Sequence, residues 1–420
     1  MKKLVYGLRC ALCAFLCMLL MGGYFSPRIQ AILQLPSTYY LEEGSQKMLP
    51  GLSEGDITIE KGAAVRLSTD ESIREKSGVV LESVEQGKSS ATLRLFGIPV
   101  RSIELRVLAQ KALIPGGQPV GIRLYTQGAL VVGTSEVISP DGTAGSPAQE
   151  AGLKTGDVIL SINGIALESS DHLGELVNEA QGAVRVHFLR EGNVYDLNIL
   201  PRIDAQDGQK RLGLWARDST AGVGTLTFCD PESGLFGALG HAITDVDTHT
   251  NLTLRKGELV AAEVVDVKAG VRGEPGELKG VFSQGEQLGA IAANTDYGIY
   301  GTLNQIPENP LYPSGVEIAL RNEVHLGRAE ILATVDDQGI RSYECQIIRL
   351  TPQATAAPRG IVVEVTDREL LEKTGGIVQG MSGSPILQDG KLVGAVTHVF
   401  VNDASKGYGM YIEWMLEAAG

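Results

Sequence analysis

The chain is poor in cysteine, in aromatic residues and in clustered positive charge. Of its five cysteines only Cys229 and Cys345 follow residue 17, so they could pair, but two lone buried thiols are expected. There is no zinc-type cysteine spacing, no HExxH and no P-loop, so no metal or other cofactor is predicted. The net charge of −14, without a Lys/Arg-rich run, argues against a nucleic-acid partner.

Glycine, in contrast, is abundant. The 420 residues include 52 glycines, with 43% hydrophobic and 20% charged residues, which is typical of a folded protein and not of a disordered one. Few aromatics and many glycines favour short strands joined by tight turns. The length is sufficient for two or three domains.

Only one long apolar run occurs, Cys10–Phe25. It follows three basic residues, Lys2, Lys3 and Arg9, and this order predicts a cytoplasmic N-terminus with the rest of the chain exported. A cleavable signal peptide is the alternative. No small-x-small cleavage site precedes Ser26, so residues 1–25 are predicted to be an uncleaved membrane anchor.

Two β-rich segments follow. Residues 36–112 alternate apolar and polar positions over short runs and predict a small β domain. Residues 118–201 contain a Ser-Pro-Ala, Ala-Gly-Leu, Gly-Asp-Val-Ile-Leu and Asn-Gly series between 146 and 164, and this series resembles a PDZ domain. The resemblance implies binding of an extended peptide, with its carboxylate held by the loop around Val120, Gly121 and Ile122.

Residues 204–420 carry the strongest chemical signal. The run Gly380-Met381-Ser382-Gly383-Ser384-Pro385 precedes an apolar strand, which is how chymotrypsin-like proteases present a nucleophile. Ser382 is the predicted nucleophile and Ser384 its rival. The amides of Gly380 and Ser382 are the predicted oxyanion hole. Many short strands and few helices predict a two-β-barrel fold, so the chain as a whole is expected to be mainly β.

His241, which follows Gly240, is the predicted general base. Imidazole titrates near neutrality and can accept and return a proton, and the order His before Ser is that of the chymotrypsin class. Five other histidines occur, and of these His398 is expected to line the substrate cleft; the other four are His172, His187, His249 and His325.

Long strings along the chain resemble the stage IV sporulation protein B (SpoIVB) peptidase family: 95–97, 114–118, 236–241, 375–386 and 394–403. The resemblance implies a membrane-anchored, exported serine endopeptidase between the forespore and mother-cell membranes. Its implied partners are a membrane-bound inhibitor of an intramembrane protease, as substrate, and the chain itself. Cleavage of the inhibitor leads to processing of pro-sigma-K.

The carboxylate that would orient His241 is less clearly indicated. The resemblance points to Asp367, but Thr366 and Glu369 also form a capping-box pattern that would place Asp367 in the first turn of a helix, where the helix dipole favours a negative charge. Asp296 is the second candidate, and the region between His241 and Ser382 also contains Asp245, Asp247 and Asp266.

Two other functions stay open on the sequence. One is a PDZ-containing protease that removes misfolded exported proteins. The other is a PDZ adaptor without catalysis, which the presence of both His241 and Ser382 disfavours.

Overall fold

A computed structural model describes residues 26–59, 64–68, 78–109, 111–245, 254–353 and 355–420. The predicted anchor, residues 1–25, lies outside them. Within the described residues no helix has the length and apolar character needed to cross a bilayer. The described residues divide into two compact units: those up to residue 109 together with 111, 317–325, 352, 353 and 355, and the remainder.

The first unit holds two small sheets. Its strands are β1 (Thr38–Glu42), β2 (Gln46–Pro50), β3 (Ile57–Ile59), β4 (Val65–Leu67), β5 (Gly78–Ser83), β6 (Gly87–Leu95) and β7 (Ile98–Leu108). One sheet has the order β1-β7-β6-β3 and the other β2-β5-β4. Alternate residues of these strands, such as Ala91, Leu93, Ile103 and Leu105, are buried in a shared core, as period-two patterning requires.

Helix α1 (Pro27–Gln34) precedes these sheets and packs Ile32 against their core. Pro27 suits the first helical position, because its missing N–H would have no partner there. Arg28 forms an ion pair with the buried carboxylate of Asp56, which also closes a capping box with Ser53. Because Asp56 is desolvated, this pairing fixes the start of α1 to the β domain.

The second unit begins with a series of strands, the two longest of which are shared by the PDZ region and the first barrel. They are β8 (Ala112–Pro115), β9 (Pro119–Thr134), β10 (Val137–Ile138), β11 (Ala144–Gly145), β12 (Val158–Ile162), β13 (Ile165–Ala166), β14 (Val184–Arg190), β15 (Asn193–Ile199), β16 (Arg202–Ile203), β17 (Lys210–Arg211) and β18 (Leu214–Cys229). Helices α2 (Pro147–Glu150) and α3 (Ser170–Glu179) cover a core built on Val131, Ile159 and Phe188.

The first barrel is formed by β9 and β18 with four later strands: β19 (Leu235–Ala238), β20 (Leu254–Lys268), β21 (Glu277–Thr295) and β22 (Gly298–Leu303). Their order is β9-β20-β21-β22-β19-β18, and β18 pairs again with β9. The six strands therefore close on themselves around a core that includes Ile122, Phe236 and Ile299.

The second barrel is a closed ring in the order β24-β25-β26-β29-β28-β27. It follows the short strand β23 (Val316–Glu317), and its strands are β24 (Gly327–Ala333), β25 (Arg341–Leu350), β26 (Ile361–Val365), β27 (Pro385–Gln388), β28 (Lys391–Phe400) and β29 (Asp403–Tyr411). Helix α4 (Arg368–Thr374) interrupts it and α5 (Ile412–Ala419) ends it. The mainly β, two-barrel prediction is confirmed.

The predicted carboxylate-binding loop of the PDZ domain is wrong. Val120, Gly121 and Ile122 are buried in the first half of β9. That half pairs with β18 on one side and with β20 on the other, so both edges of the backbone are occupied and no peptide can add there. A Cβ at Gly121 would lie 2.5 Å from Phe282 Cδ1 and 2.6 Å from Val260 Cγ2.

Gly121→Glu should consequently unfold the first barrel instead of altering a peptide site. A charged side chain forced into a sheet interior without a partner costs about 3 kcal/mol or more. Gly174→Glu is the matched control, since Gly174 is exposed on α3 and a Cβ there meets nothing within 4 Å. Denaturant titration should show a large loss of unfolding free energy for the first variant only; equal stabilities would contradict the burial of Gly121.

Candidate active site

Ser382, His241, His398 and Asp296 line one cavity of about 980 Å³ in the second unit. Ser382 comes from the turn between α4 and β27, and His241 from the segment after β19. Asp296 lies in the turn between β21 and β22, and His398 lies on β28. Residues far apart in sequence thus share one cleft, with side chains from both barrels.

The turn that carries Ser382 is fixed by glycine and by Thr225. Gly380 and Gly383 both have φ +96, a region that side chains disfavour. A Cβ on Gly383 would lie 2.1 Å from the Thr225 carbonyl oxygen. Thr225 also donates its hydroxyl to the Gly380 carbonyl at 2.7 Å and its N–H to the Ser382 carbonyl at 2.9 Å. No sequence motif indicates this role for Thr225.

The hydrogen-bond pattern of the turn leaves two amides unused. The N–H groups of Gln379, Met381 and Gly383 donate to backbone carbonyls of Gly276, Val378 and Val396. Within the described residues the N–H groups of Gly380 and Ser382 donate to nothing. Two free amides, one on the nucleophile itself and one two residues before it, meet the requirement for an oxyanion hole. Their role in catalysis stays a prediction.

The two candidate serines differ in access. The Ser382 hydroxyl lines the cavity and donates to the Thr397 carbonyl at 2.9 Å. Ser384 is fully buried, and its hydroxyl has no hydrogen-bond partner in the described part of the chain. Of the two, only Ser382 can meet a substrate. Its hydroxyl must leave Thr397 and turn toward an imidazole before its proton can be removed.

His241 is held by backbone contacts. Its Nδ1 lies 2.8 Å from the Ala242 carbonyl oxygen, which only accepts, so Nδ1 carries the proton and Nε2 is free to act as a base. Asn294 fixes the residue after Ala242, since its Oδ1 accepts from Ile243 N at 2.8 Å and its Nδ2 donates to Ile243 O at 2.9 Å. Burial lowers the pKa of His241, and the bond to Ala242 acts in the opposite direction.

His398 lies against His241, with the ring centroids 5.0 Å apart. Its Nδ1 is buried and has no partner among the described residues. Burial lowers the pKa of His398 to about 4, with smaller contributions from the positive charges of His241 and Arg359. His398 therefore stays neutral beside the base and, as predicted, forms a wall of the cleft.

The structure does not bring Asp367 to His241. Asp367 is the N-cap of α4; its carboxylate accepts from Leu370 N at 2.9 Å and from Glu344 N at 3.4 Å, and it does not line the cavity. The sequence predicted a capping box of Thr366 and Glu369 with Asp367 in the first turn, whereas the structure makes Asp367 itself the N-cap. The prediction that Asp367 contacts the base is wrong in this structure.

The other carboxylates are distributed as follows. Asp296 is exposed and lines the cavity, so it is the described carboxylate best placed to reach His241. Asp245 is buried, with Arg217 Nη1 at 3.3 Å. Asp266 pairs with Lys279 at 2.7 Å outside the cavity. Asp247 and His249 lie outside the described residues.

Neither the two described cysteines nor a cluster of metal-binding side chains adds a reactive group to the described residues. Cys229 and Cys345 are free and buried, and burial raises the pKa of Cys229 to about 11 and that of Cys345 to about 12. Among the described residues there is no cluster of three or more His, Cys, Asp or Glu side chains that could hold a metal ion. The residues in the cleft suit nucleophilic hydrolysis by a serine.

Besides the outer edge of β15, the PDZ sheet has an open edge at the start of β18, which is not where the sequence predicted a peptide site. Leu214–Arg217 of β18 pair with β9 on one side, and in the described chain no strand pairs with their other edge. Helix α3 packs against β17 and β18, and the Asp218 carboxylate accepts from the N-terminal amide of α3 at Ser170. The open edge of β18 lies beside α3 and begins directly after Gly213. Gly213 has φ +71 and forms the turn before the strand.

The Leu212-Gly213-Leu214 run is the sequence signal for this edge. It follows the PDZ series along the chain, whereas the predicted carboxylate-binding loop, Val120–Ile122, precedes that series. The strand order of the structure places the open edge at the C-terminal end of the region instead.

Comparison with known families identifies the domain that carries the cleft. A family model of the SpoIVB peptidase S55 matches residues 208–416. This range contains His241, Ser382, the strands of the first barrel from β18 onward and the whole second barrel. The chain belongs to the SpoIVB peptidase family. It is a serine endopeptidase with a PDZ domain, for which a second family model matches residues 139–190.

Solved structures with similar parts include the PDZ domain of an SdrC-like protein from Listeria monocytogenes. It is 22% identical, with 21% of this chain and 87% of that chain covered and a TM-score of 0.18. The active form of the Rv3671c protease from M. tuberculosis is 12% identical, with 48% of this chain and 75% of that chain covered and a TM-score of 0.30.

Ser382→Ala should abolish peptide hydrolysis and labelling by a fluorophosphonate, because no other described serine in the turn faces the cavity. His241→Ala should have a similar effect, as loss of a nucleophile or base commonly costs several orders of magnitude in rate. Ser384→Ala is the matched control and should keep parental activity, since its hydroxyl is buried and unbonded in the described part of the chain. Labelling that survives in Ser382→Ala but not in Ser384→Ala would reverse the assignment.

Asp296→Asn should lower the rate per folded molecule by about 10²-fold or more, the lower end of the range for a general acid–base contribution. Asp367→Ala should instead cost about 1 kcal/mol of unfolding free energy through the lost N-cap, with the rate unchanged. Asp367→Asn should preserve both quantities, because an amide oxygen also caps. A large rate loss in stable Asp367→Asn would show that its carboxylate serves the base.

The pH dependence of kcat/KM should reflect the lowered pKa of His241. The base works when neutral, and a lowered pKa keeps it neutral in more acidic solution. The acid limb should therefore have its midpoint below 6.5, the ordinary value for histidine. Hydrolysis of a neutral peptide ester, measured in buffers of constant ionic strength, gives this midpoint; a midpoint above 6.5 would indicate a carboxylate bound to His241 in the working enzyme.

Proposed function

We propose that this SpoIVB-family peptidase signals during endospore formation by cutting the exported part of a membrane-bound inhibitor of an intramembrane protease. The freed protease then processes pro-sigma-K. The observation that carries the proposal is the family match over the domain that places Ser382 and His241 in one cleft. The chain also cleaves itself, is held by residues 1–25 in a membrane, and acts between the forespore and mother-cell membranes.

The PDZ domain is proposed to bind the peptide that the peptidase cuts. Strand β18 supports this role, since its start, Leu214–Arg217, has the open edge beside α3 and its middle, Thr220–Val223, lines the catalytic cavity. An extended peptide can add to such an edge through main-chain hydrogen bonds. From Leu214 to Val223 the strand rises about 30 Å, so one bound segment of roughly nine residues would connect the two sites.

In this proposal the substrate peptide lies along β18, from the PDZ edge to the catalytic cavity. A segment held at Leu214–Arg217 would bring a peptide bond several residues away to Ser382. Cleavage then depends on two features of the substrate at a fixed spacing, which favours narrow specificity over general degradation.

The test is reconstitution of the three-protein pathway in a heterologous cell. The chain is co-expressed with an endospore former's membrane-bound inhibitor, its intramembrane protease and pro-sigma-K, and sigma-factor processing is measured by immunoblot. Processing should require the parental chain and be absent with Ser382→Ala. Purified protein should leave casein largely intact; rapid casein digestion without pathway processing would favour a quality-control protease.

A groove variant tests the PDZ contribution in the same assay. Trp215 is 66% exposed on the open edge, so Trp215→Asp should fold but weaken binding of an added strand. Val194→Asp, at another exposed position of the PDZ sheet, is the control. Inhibitor cleavage should slow only for Trp215→Asp, while both variants react normally with a fluorophosphonate. Equal cleavage by both would remove the PDZ edge from the proposal.

A further inference from the structure

The tip of the β6–β7 hairpin in the first unit is an exposed apolar patch. Five consecutive residues, Phe96 to Val100, are exposed, and none has a polar side chain. Phe96 is 78% exposed, Ile98 66% and Val100 50%. Leu33 of α1 is also exposed, at 60%. Such a continuous run marks an interaction site more often than isolated exposed apolar residues do.

Helix α1 and the hairpin tip are joined by direct contacts. The Arg28 guanidinium lies over the Phe96 ring, 5.6 Å from its centroid. At the other end of the helix, Arg101 donates to the Leu35 carbonyl at 2.6 Å. The tip and α1 therefore hold a defined arrangement within the β domain.

Basic side chains surround this patch. Arg94 donates to the Gly97 carbonyl at the turn and to Thr58, while Arg101 donates to carbonyls of α1. Neither has a carboxylate partner among the described residues. In a chain of net charge −14, two guanidinium groups without carboxylates beside an apolar tip form an unusual combination. Apolar side chains with flanking arginines are typical of surfaces that enter the headgroup region of a bilayer.

Chain connectivity indicates the occupant. The apolar run Cys10–Phe25 ends three residues before Arg28, and three residues span at most about 11 Å. The headgroup layer on each side of a bilayer is about 5–8 Å thick, from the difference between its total and hydrocarbon thickness. If Cys10–Phe25 spans the bilayer, Arg28 and the Phe96 ring that it covers are kept at or near the headgroups.

We infer that the β6–β7 hairpin tip is a second membrane contact, which inserts Phe96, Ile98 and Val100 among lipids while Arg94 and Arg101 bind lipid phosphates. This inference rests on the proposed membrane anchor, and not on the proposed substrate. The two contacts together would set the orientation of the β domain on the membrane, because a single spanning segment leaves rotation free.

The test uses the full chain in the Ser382→Ala background, reconstituted in lipid nanodiscs with and without bromine-labelled lipids. Phe96→Trp introduces a reporter at the tip, and Val84→Trp is the matched control. Val84 is 49% exposed and precedes β6 at the end opposite the tip, about 30 Å along a nine-residue strand. After subtraction of parental emission, bromolipid should quench the Phe96→Trp reporter strongly and the Val84→Trp reporter little. Anionic lipid should increase the quenching of the tip reporter.

Each other outcome rejects the inference in a distinguishable way. If the chain co-purifies with the discs but both reporters are quenched weakly and equally, the anchor is present and the hairpin tip does not enter the lipid. The tip then stays in water or binds a protein. A chain that does not co-purify lacks the anchor, and the inference falls with it. Ile98→Trp supplies a second tip reporter if Phe96→Trp alters the near-ultraviolet circular dichroism spectrum. Neither failure affects the assignment of Ser382, which fluorophosphonate labelling of the parental chain reports separately.

Discussion

The pairing of β9 with β18 is the interaction on which the second unit depends. Eleven residue pairs connect the two strands, from Leu214 with Thr134 to Thr225 with Pro119. This pairing closes the first barrel, and its continuation forms part of the PDZ sheet. The strands are each 16 residues long, so a single ladder of hydrogen bonds belongs to two modules. A change that separated β18 from β9 would open the barrel and the PDZ edge together.

The same strand also supports the nucleophile. Thr225, at the last of these pairs, binds the carbonyls of Gly380 and Ser382, and Thr227 donates to the Gly383 carbonyl at 2.8 Å. The carbonyls of the turn are therefore occupied by the first barrel, while two of its amides have no acceptor among the described residues. Preorganised donors of this kind stabilise a developing negative charge without reorganisation. The second barrel supplies the turn, and the first barrel sets its orientation.

The base is arranged differently from the familiar triad. In this structure a backbone carbonyl, that of Ala242, accepts the Nδ1 proton of His241. A carbonyl fixes the tautomer, but it stabilises an imidazolium less than a carboxylate does, since it has no net charge. Burial beside the neutral His398 also disfavours a positive charge. The described arrangement thus preserves a neutral base, and a role for Asp296, which lines the same cavity, in activating it stays a prediction.

The sequence by itself determined the chemistry of this protein, because serine between glycines and a histidine after glycine are local patterns with local causes. It also determined the mainly β class and the two-barrel domain through period-two patterning and turn residues. The tertiary structure alone decided which distant groups meet. Asp367 satisfied a family pattern yet caps α4, and Val120–Ile122 resembled a loop yet fill a barrel strand. A short apolar strand has the same sequence pattern whether its backbone edge is open to a peptide or paired with another strand. The pairing of Val120–Ile122 with β18 on one side and β20 on the other shows that this strand has no open edge.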